Sequence, residues 1–326
     1  MYVIKSFSKY LSAILAAALI AALSLLFFSS KDAQKAAAER PLVSSLTVSP
    51  TLPMKVNFCG QAIDLSRYDR HEGLDRELCS YTYLHATTML LFKRANRFFP
   101  IIEPILKRNG VPDDFKYLAV IESHLDPKAS SVVRATGIWQ FMESTGRQYG
   151  LTITPTVDER SHVEKSTLAA CKYLKEAYAK YGSWMNVAAS YNAGMGRISG
   201  EQSRQDVEEA MDLWLVEETQ RYPYRILAIK LIFESPYQYG FVVNPQMLYK
   251  PIRTRDVPVK SDIADLSAFA RSQGITYADL KRFNPWLRDR KLVTGGKTFT
   301  LQIPDADDLH YRQPNTYVHD SRWVVN

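Results

Sequence analysis

The sequence predicts a mainly α-helical protein that ends in a small module with the element order β-α-α-β. Apolar residues recur at helical spacing through most of residues 74–234, and no alternating pattern there is long enough to build a large sheet. With 326 residues, the chain can hold one large core and a smaller second module. We place the helical domain at residues 56–243 and the module at residues 251–304.

Residues 1–28 have the pattern of an export segment. Lys5 and Lys9 precede an apolar run over residues 11–28, which is typical of a signal peptide. The run is also close to the roughly 20 residues that span a bilayer, so it could remain as a membrane anchor. Both alternatives place the rest of the chain in the periplasm or cell envelope. Residues 29–55, rich in Ser, Ala and Lys, are predicted to be a linker.

The composition favours some partners and disfavours others. A formal charge of +7 suits a polyanionic surface such as a cell wall or an acidic lipid face. Without a Gly-rich phosphate loop, zinc-ligand spacing or a nucleic-acid-binding motif, the sequence predicts no nucleic acid, metal or cofactor. Cys59 and Cys79 could pair in an oxidising compartment, whereas Cys171 lies on an apolar helical stripe and is expected to be a buried thiol.

Periodicity and capping signals predict the elements of the helical domain. One or two helices are predicted over residues 74–109, with a bend or break at Pro100 and Pro104, and another helix starts at Pro112. A further helix runs from a capping box at Ser161 to Gly182, and a short helix capped by Ser183 ends at residues 191–194. The last two predicted helices cover residues 206–215 and 219–233. Pro223 is expected to start or to kink the last of these.

One glutamate falls on the apolar face of the helix that starts near Pro112. Phe115, Leu118, Ala119 and Glu122 follow the spacing i, i+3, i+4 and i+7. Glu122 is also near the carboxyl end of the helix, where the helix dipole disfavours negative charge. Both effects favour the protonated carboxyl that a general acid needs near neutral pH. A lone glutamate at a helix end is more often a solvated surface residue. The neighbouring motifs therefore decide whether Glu122 is interpreted as catalytic.

The motifs that follow Glu122 resemble the catalytic segment of the lytic transglycosylases of bacterial cell walls. In order, they are Glu122-Ser123, Ser131, Gly-Ile-Trp-Gln-Phe-Met at residues 137–142, Tyr-Asn-Ala-Gly at residues 191–194, and Glu218-Thr219 with Tyr222. Several motifs in the family order are a specific signal. The resemblance covers about residues 75–241 and implies a lysozyme-like helical catalytic domain.

The resemblance also implies a reaction and a role for each matching residue. Glu122 would act as the single acid and base that cleaves peptidoglycan glycan strands between N-acetylmuramic acid and N-acetylglucosamine, leaving a 1,6-anhydro end. Tyr191 would hold or orient Glu122, and Asn192 would support its turn. The other residues expected to contact substrate are Ser123, Ser131, Gln140, Met142, Thr219 and Tyr222.

The chain departs from the family pattern, and two other functions stay open. Arg134 stands where the family has a glycine, so a positive φ there would cost roughly 1–2 kcal/mol or force a different loop. Neither Asp126 nor Glu143 occupies a position that the family uses as a second carboxylate. The alternatives are a hydrolase of the goose-type lysozyme kind, with the same fold and glutamate, and a non-catalytic protein that binds the cell wall.

The carboxyl-terminal module resembles a LysM carbohydrate-binding repeat. Its predicted elements are a strand at residues 254–259, helices at residues 261–273 and 277–284, and a strand at residues 298–303. Ser261-Asp262-Ile263-Ala264 replaces the turn expected before the first helix, so the module could instead be a structural cap on the enzyme. Residues 305–326 are predicted to be a polar tail.

Overall fold

The structure, a computed structural model, describes residues 48–311 and 317–324, and it confirms the mainly α-helical fold class. The α-helices of these residues are α1 (Tyr68–Tyr83), α2 (His85–Arg108), α3 (Lys116–Ser123), α4 (Glu143–Gln148), α5 (Val163–Tyr181), α6 (Trp184–Ala193), α7 (Met195–Gln205), α8 (Glu217–Glu234), α9 (Leu266–Ser272) and α10 (Tyr277–Phe283). The strands are β1 (Lys55–Phe58), β2 (Gln61–Asp64), β3 (Thr254–Val259) and β4 (Phe299–Pro304). They form the antiparallel pairs β1–β2 and β3–β4.

Helix α8 lies at the centre of the helical domain and packs on α1, α3 and α6. Most of its residues from Thr219 to Phe233 are buried, as expected for a helix that others surround. The predicted helix is therefore confirmed, but it begins at Glu217, and Pro223 lies inside it. The packing of its buried sides stabilises α8 across the backbone hydrogen bond that Pro223 cannot donate.

Two other helix predictions, a break at the prolines and a capping box at Ser161, were wrong. Pro100 and Pro104 lie within the continuous α2, and the break falls at Leu84, between α1 and α2. Ser161 belongs to a short 3-10 turn that Asp158 caps, so α5 begins one residue later than a capping box at Ser161 would place it. The Gly182 end of α5 and the Ser183 cap of α6 are confirmed.

The helix predicted over residues 206–215 was also wrong. Asp206 has a φ of 52° and ends α7, which the sequence did not predict, and only residues 210–212 form a 3-10 turn. A left-handed residue cannot continue a right-handed helix, so the chain turns there.

The residues before α1 include the hairpin β1–β2, which the sequence did not predict. Cys59 and Gly60 form its turn, with φ values of 53° and 85°. Cys59, Cys79 and Cys171 are free thiols, and Cys171 is buried as predicted. No helix within the described ranges is long and apolar enough to cross a bilayer. The signal or anchor predicted at residues 1–28, and most of the predicted linker, lie outside those ranges.

The β-α-α-β order of the module is confirmed. Its first helix, α9, begins at Leu266 rather than near Ser261, because Asp265 caps it by accepting from the Ser267 N–H at 2.7 Å. Strands β3 and β4 pair in register from Thr254 opposite Pro304. The module has its own core, built from Val259, Leu266, Ala270, Leu280, Trp286, Leu287, Leu292, Phe299, Leu301 and Ile303, together with Val157 of the helical domain.

The predicted polar tail needs a correction, because its described end packs into the helical domain. The Trp323 side chain is buried, and its ring centroid lies 5.8 Å from Phe92, 6.0 Å from Phe99 and 5.5 Å from Phe233. The spacing is that of packed aromatic side chains. Residues 317–324 therefore contribute to the core of the helical domain.

Candidate active site

Glu122 lies in the last turn of α3, as the sequence predicts. Helix α3 ends where His124 and Leu125 adopt φ values of 53° and 56°, and this turn leads the chain away from the helix axis. Ser123 is buried, and its Oγ donates to the carbonyls of Ala119 at 3.1 Å and Ile138 at 2.8 Å. Ser123 therefore joins the end of α3 to residues 137–140, and its hydroxyl group donates within the protein.

The hydroxyl group of Tyr222 donates a hydrogen bond to Oε1 of Glu122. Tyr222 lies on the central helix α8 and is buried, so the surrounding core fixes the position of this donor. The hydrogen bond to Glu122 thus comes from Tyr222, whereas we expected Tyr191 to hold or orient this carboxyl. The hydroxyl of Tyr191 instead donates to the carbonyl of Trp139 at 2.7 Å.

Burial raises the pKa of Glu122 to about 7. The hydrogen bond from Tyr222 lowers this pKa, the charge of Glu218 raises it, and the charge of Arg225 lowers it. Desolvation is the largest of these effects because taking a carboxylate from water disfavours its charged form. A pKa near 7 lets the same group give up a proton and take one back at neutral pH.

The Gly137 loop, which we define as residues 129–142, lies next to Glu122 through Ser123. Gly137 has a φ of 85°, and a Cβ there would lie 1.8 Å from the Arg160 carbonyl oxygen, so no other residue fits without moving the backbone. Arg134 has a φ of 64°, the conformation that the sequence marked as costly for a non-glycine residue.

Two polar side chains of the Gly137 loop, those of Gln140 and Ser131, make hydrogen bonds within the loop and keep further hydrogen-bonding capacity. Gln140 directs its side-chain N–H groups to the carbonyls of Ala129 at 3.2 Å and Gly137 at 2.8 Å. This leaves its side-chain oxygen to accept from a ligand. The Oγ of Ser131 accepts from the Ala135 N–H at 3.0 Å and still has a proton to donate.

The remaining predicted residues lie at the ends of α4, α6 and α8. Thr219 Oγ1 donates to Asn192 Oδ1 at 2.8 Å, so the two residues join the start of α8 to the end of α6. Met142 precedes α4 and is 43% exposed, which leaves it accessible to a ligand. A cavity of about 580 Å³ opens beside Thr219 and is lined in part by Trp214 and Arg197.

Sequence reasoning missed three residues that shape the site. Glu218 is close enough to raise the pKa of Glu122, although the sequence suggested only Asp126 and Glu143 as candidates for a second carboxylate. Asp158 and Arg160 are buried against the Gly137 loop. Glu218 stands inside a motif that the sequence already marked, whereas the other two lie in a polar stretch with no periodic signal. Within residues 48–311 and 317–324, no group of three or more His, Cys, Asp or Glu residues could hold a metal ion.

Comparisons with known proteins give a family for both parts of the chain. Residues 99–213 match the model of the transglycosylase SLT domain, and residues 255–307 match that of the soluble lytic transglycosylase C-terminal LysM-like domain. Both matched models describe domains of transglycosylases. The two matched ranges contain most of the predicted site residues and all four elements of the module.

The named proteins that are similar to this chain are described as lytic transglycosylases. Membrane-bound lytic murein transglycosylase D of Escherichia coli is 30% identical over 245 residues, which are 73% of this chain and 52% of that protein. The chain thus spans about half the length of this relative. Membrane-bound lytic murein transglycosylase F of Salmonella typhi is 27% identical over 125 residues, covering 35% of this chain and 25% of its own length. The 70-kDa soluble lytic transglycosylase of Escherichia coli has a TM-score of 0.38 at 20% identity, covering 54% of this chain and 30% of that one.

Proposed function

We propose that this chain is a peptidoglycan lytic transglycosylase in which Glu122 is the single catalytic acid and base. The supporting observation is the pKa of about 7 for Glu122, whose carboxyl accepts a hydrogen bond from the neutral hydroxyl of Tyr222. Glu122 lies inside the SLT domain match, and the Gly137 loop lies beside it. A carboxyl group that is protonated near neutral pH suits the first step of glycoside cleavage.

In the proposed reaction, the Glu122 carboxyl gives its proton to the oxygen that bridges N-acetylmuramic acid and N-acetylglucosamine. The bond from that oxygen to C1 breaks, and the N-acetylglucosamine leaves with a hydroxyl group. The C6 hydroxyl oxygen of the muramyl residue then bonds to C1, and its proton passes to the Glu122 carboxylate. No water is consumed, and the intramolecular attack avoids the entropy of capturing a second molecule.

Other residues are proposed to contact the glycan. The free acceptor of Gln140, the hydroxyl of Ser131 and the exposed side chain of Met142 are available to sugar groups. Asn192 and Thr219 would support the other side of the site through their mutual hydrogen bond. The LysM-like module would add contacts to insoluble peptidoglycan.

A location in the cell envelope is part of the proposal. The apolar run over residues 11–28 and the membrane-bound relatives support it. A fusion of residues 1–55 to a reporter that is active only after export should be active, and carbonate washing should separate a retained anchor from a cleaved signal. A reporter that stays inactive would contradict this location.

Mass spectrometry of digested peptidoglycan tests the proposed reaction. The wild-type protein should release muropeptides with 1,6-anhydro-N-acetylmuramic acid ends, one water lighter than lysozyme products. Glu122→Gln should lower kcat by about 10²–10⁴ because the amide can neither donate nor accept the proton. Glu143→Gln is the matched control, since Glu143 is exposed and, among the described residues, pairs with Arg147 on its own helix.

The products also separate the two alternatives. Reducing ends would indicate a lysozyme-like hydrolase, an alternative favoured by the second carboxylate, Glu218, whose charge acts on Glu122. Binding to peptidoglycan with no soluble product from the wild type would indicate a non-catalytic wall-binding protein.

A further inference from the structure

Asp158 lies between two arginines that belong to different parts of the chain. Arg160 contacts it from the helical domain, with Nε at 2.9 Å from Oδ1 and Nη2 at 2.7 Å from Oδ2. Arg288 reaches it from the LysM-like module, with Nη1 at 2.9 Å from Oδ2. Asp158 and Arg160 are buried, so water screens their interaction little. The bidentate geometry fixes the plane of the Arg160 guanidinium group.

Arg160 uses its remaining donors on the Gly137 loop. Its Nη1 donates to the carbonyls of Arg134 at 2.9 Å and Phe141 at 3.0 Å, which lie on opposite sides of Gly137. Its own carbonyl is the atom that a Cβ at Gly137 would strike. The Gly137 loop, which carries Gln140, therefore contacts both the side chain and the backbone of Arg160.

Backbone contacts hold the module against the residues around Asp158. The Asp158 N–H donates to the Trp286 carbonyl at 2.8 Å, and the Arg288 N–H donates to the Thr156 carbonyl at 2.9 Å. Between them, Val157 is fully buried in the core of the module. The module thus shares both hydrogen bonds and apolar packing with the segment that supports the Gly137 loop.

We infer that the LysM-like module is a positioning element of the active site, acting from Arg288 through Asp158 and Arg160 to the Gly137 loop. The inference rests on the proposed function, and it gives the module a second role beside wall binding. Arg288 touches no residue that we place against the glycan. Its effect on substrate would pass entirely through the orientation of Arg160.

The full-length variant Arg288→Ala tests the inference, with Arg290→Ala as the matched control. Both arginines are exposed residues of the module, but the structure gives the Arg290 side chain no partner among the described residues. Arg288→Ala should raise KM for soluble glycan strands about three- to tenfold with a smaller change in kcat, and Arg288→Lys should restore part of the difference. Arg290→Ala should behave as wild type, and all variants should sediment equally with insoluble peptidoglycan.

Two outcomes would overturn the inference while leaving the proposed function intact. One is an active wild-type enzyme whose KM is the same in Arg288→Ala and Arg290→Ala. The other is a rise in KM that follows a matching loss of sedimentation, because the module would then act only as a binder. An inactive wild type would contradict the proposed function instead.

Hydrogen exchange tests the same inference without activity. In Arg288→Ala, the amides of Thr136, Gly137 and Gln140, which are hydrogen-bonded in the loop, should exchange faster than in Arg290→Ala. Amides of the pair β3–β4 should exchange at the wild-type rate, which shows that the module is still folded. Unchanged amide exchange over residues 129–142 would contradict the proposed coupling from Arg288 through Asp158 and Arg160 to the Gly137 loop.

Discussion

The end of α3 and the segment before α5 each withdraw a carboxylate from water, and the two differ in what faces it. Glu122 meets the neutral hydroxyl of Tyr222, whereas Asp158 meets the guanidinium groups of Arg160 and Arg288. Burial raises the pKa of Glu122 to about 7. Burial alone would also raise the pKa of Asp158, but its hydrogen bonds and charge interactions with Arg160, together with Arg288, hold that pKa below its usual range.

The difference shows that burial raises the pKa of a carboxylate unless cationic partners offset the cost of desolvation. A neutral donor leaves Glu122 able to exchange a proton near pH 7, which suits catalysis. Two cations keep Asp158 charged, which suits a fixed structural contact. Substitutions at the two carboxylates should therefore have opposite effects on stability.

Asp158→Asn should have the largest effect on stability. It leaves Arg160 buried without its counter-charge, so the free energy of unfolding at pH 7 should fall by about 3–5 kcal/mol. The penalty should shrink as the pH falls below the ordinary pKa of 3.8 and through the lowered pKa of Asp158, where the wild-type carboxylate is itself protonated. Urea unfolding at several pH values measures both the loss of stability at pH 7 and its dependence on pH.

The control for Asp158→Asn is Glu143→Gln. The pair of Glu143 and Arg147 is exposed, with side chains 58% and 51% accessible, so its loss should cost about 0–1 kcal/mol. Equal costs for the two substitutions would contradict a structural role for Asp158.

The sequence predicted the parts of the site that depend on local pattern. Glu122 could be found because it continues the apolar spacing of one helix and lies near the end of that helix. Its partner could not, because the choice between Tyr191 and Tyr222 depends on how α6 and α8 pack, and Tyr222 is 100 residues away in the chain. Local signals name candidates, and tertiary packing selects among them.

The same limit explains the errors in the fold. Pro100 and Pro104 are helix breakers by local rules, but apolar neighbours such as Phe99 and Ile105 hold α2 in the core across them. Asp158 and Arg160 lie in a polar stretch that has the composition of a surface loop, and the Gly137 loop and the module pack against them. Trp323 likewise follows a polar segment, so nothing before it indicates a core residue.

Glu122→Gln should stabilise the protein at alkaline pH while it removes activity. The pKa of Glu122 is about 7 in the folded protein against 4.5 as its ordinary value, so folding favours the protonated form. That contribution is complete below the ordinary pKa and is lost as the pH rises through about 7. At pH 8 the variant should be more stable than wild type by about 1–3 kcal/mol, and near pH 4 the two should be equal.

Thermal unfolding at the two pH values checks this difference, again with Glu143→Gln as the control. The Glu143→Gln control should have nearly the same stability as the wild type at both pH values. A Glu122→Gln variant that is less stable than wild type at pH 8 would mean that the folded protein favours the charged carboxylate, as it does at Asp158.

Tyr222→Phe should have the smallest effect, a change in pH dependence. The hydrogen bond from Tyr222 lowers the pKa of Glu122, so its removal should raise that pKa above about 7. Glu122 must be protonated to act as the acid, so the descending limb of kcat/KM should move to higher pH. Tyr191→Phe is the control, because its hydroxyl donates to the Trp139 carbonyl and its loss should leave the limb in place. A limb that moves to lower pH in Tyr222→Phe, or that moves equally in both variants, would contradict the assignment of Tyr222 as the hydrogen-bond donor that lowers the pKa of Glu122.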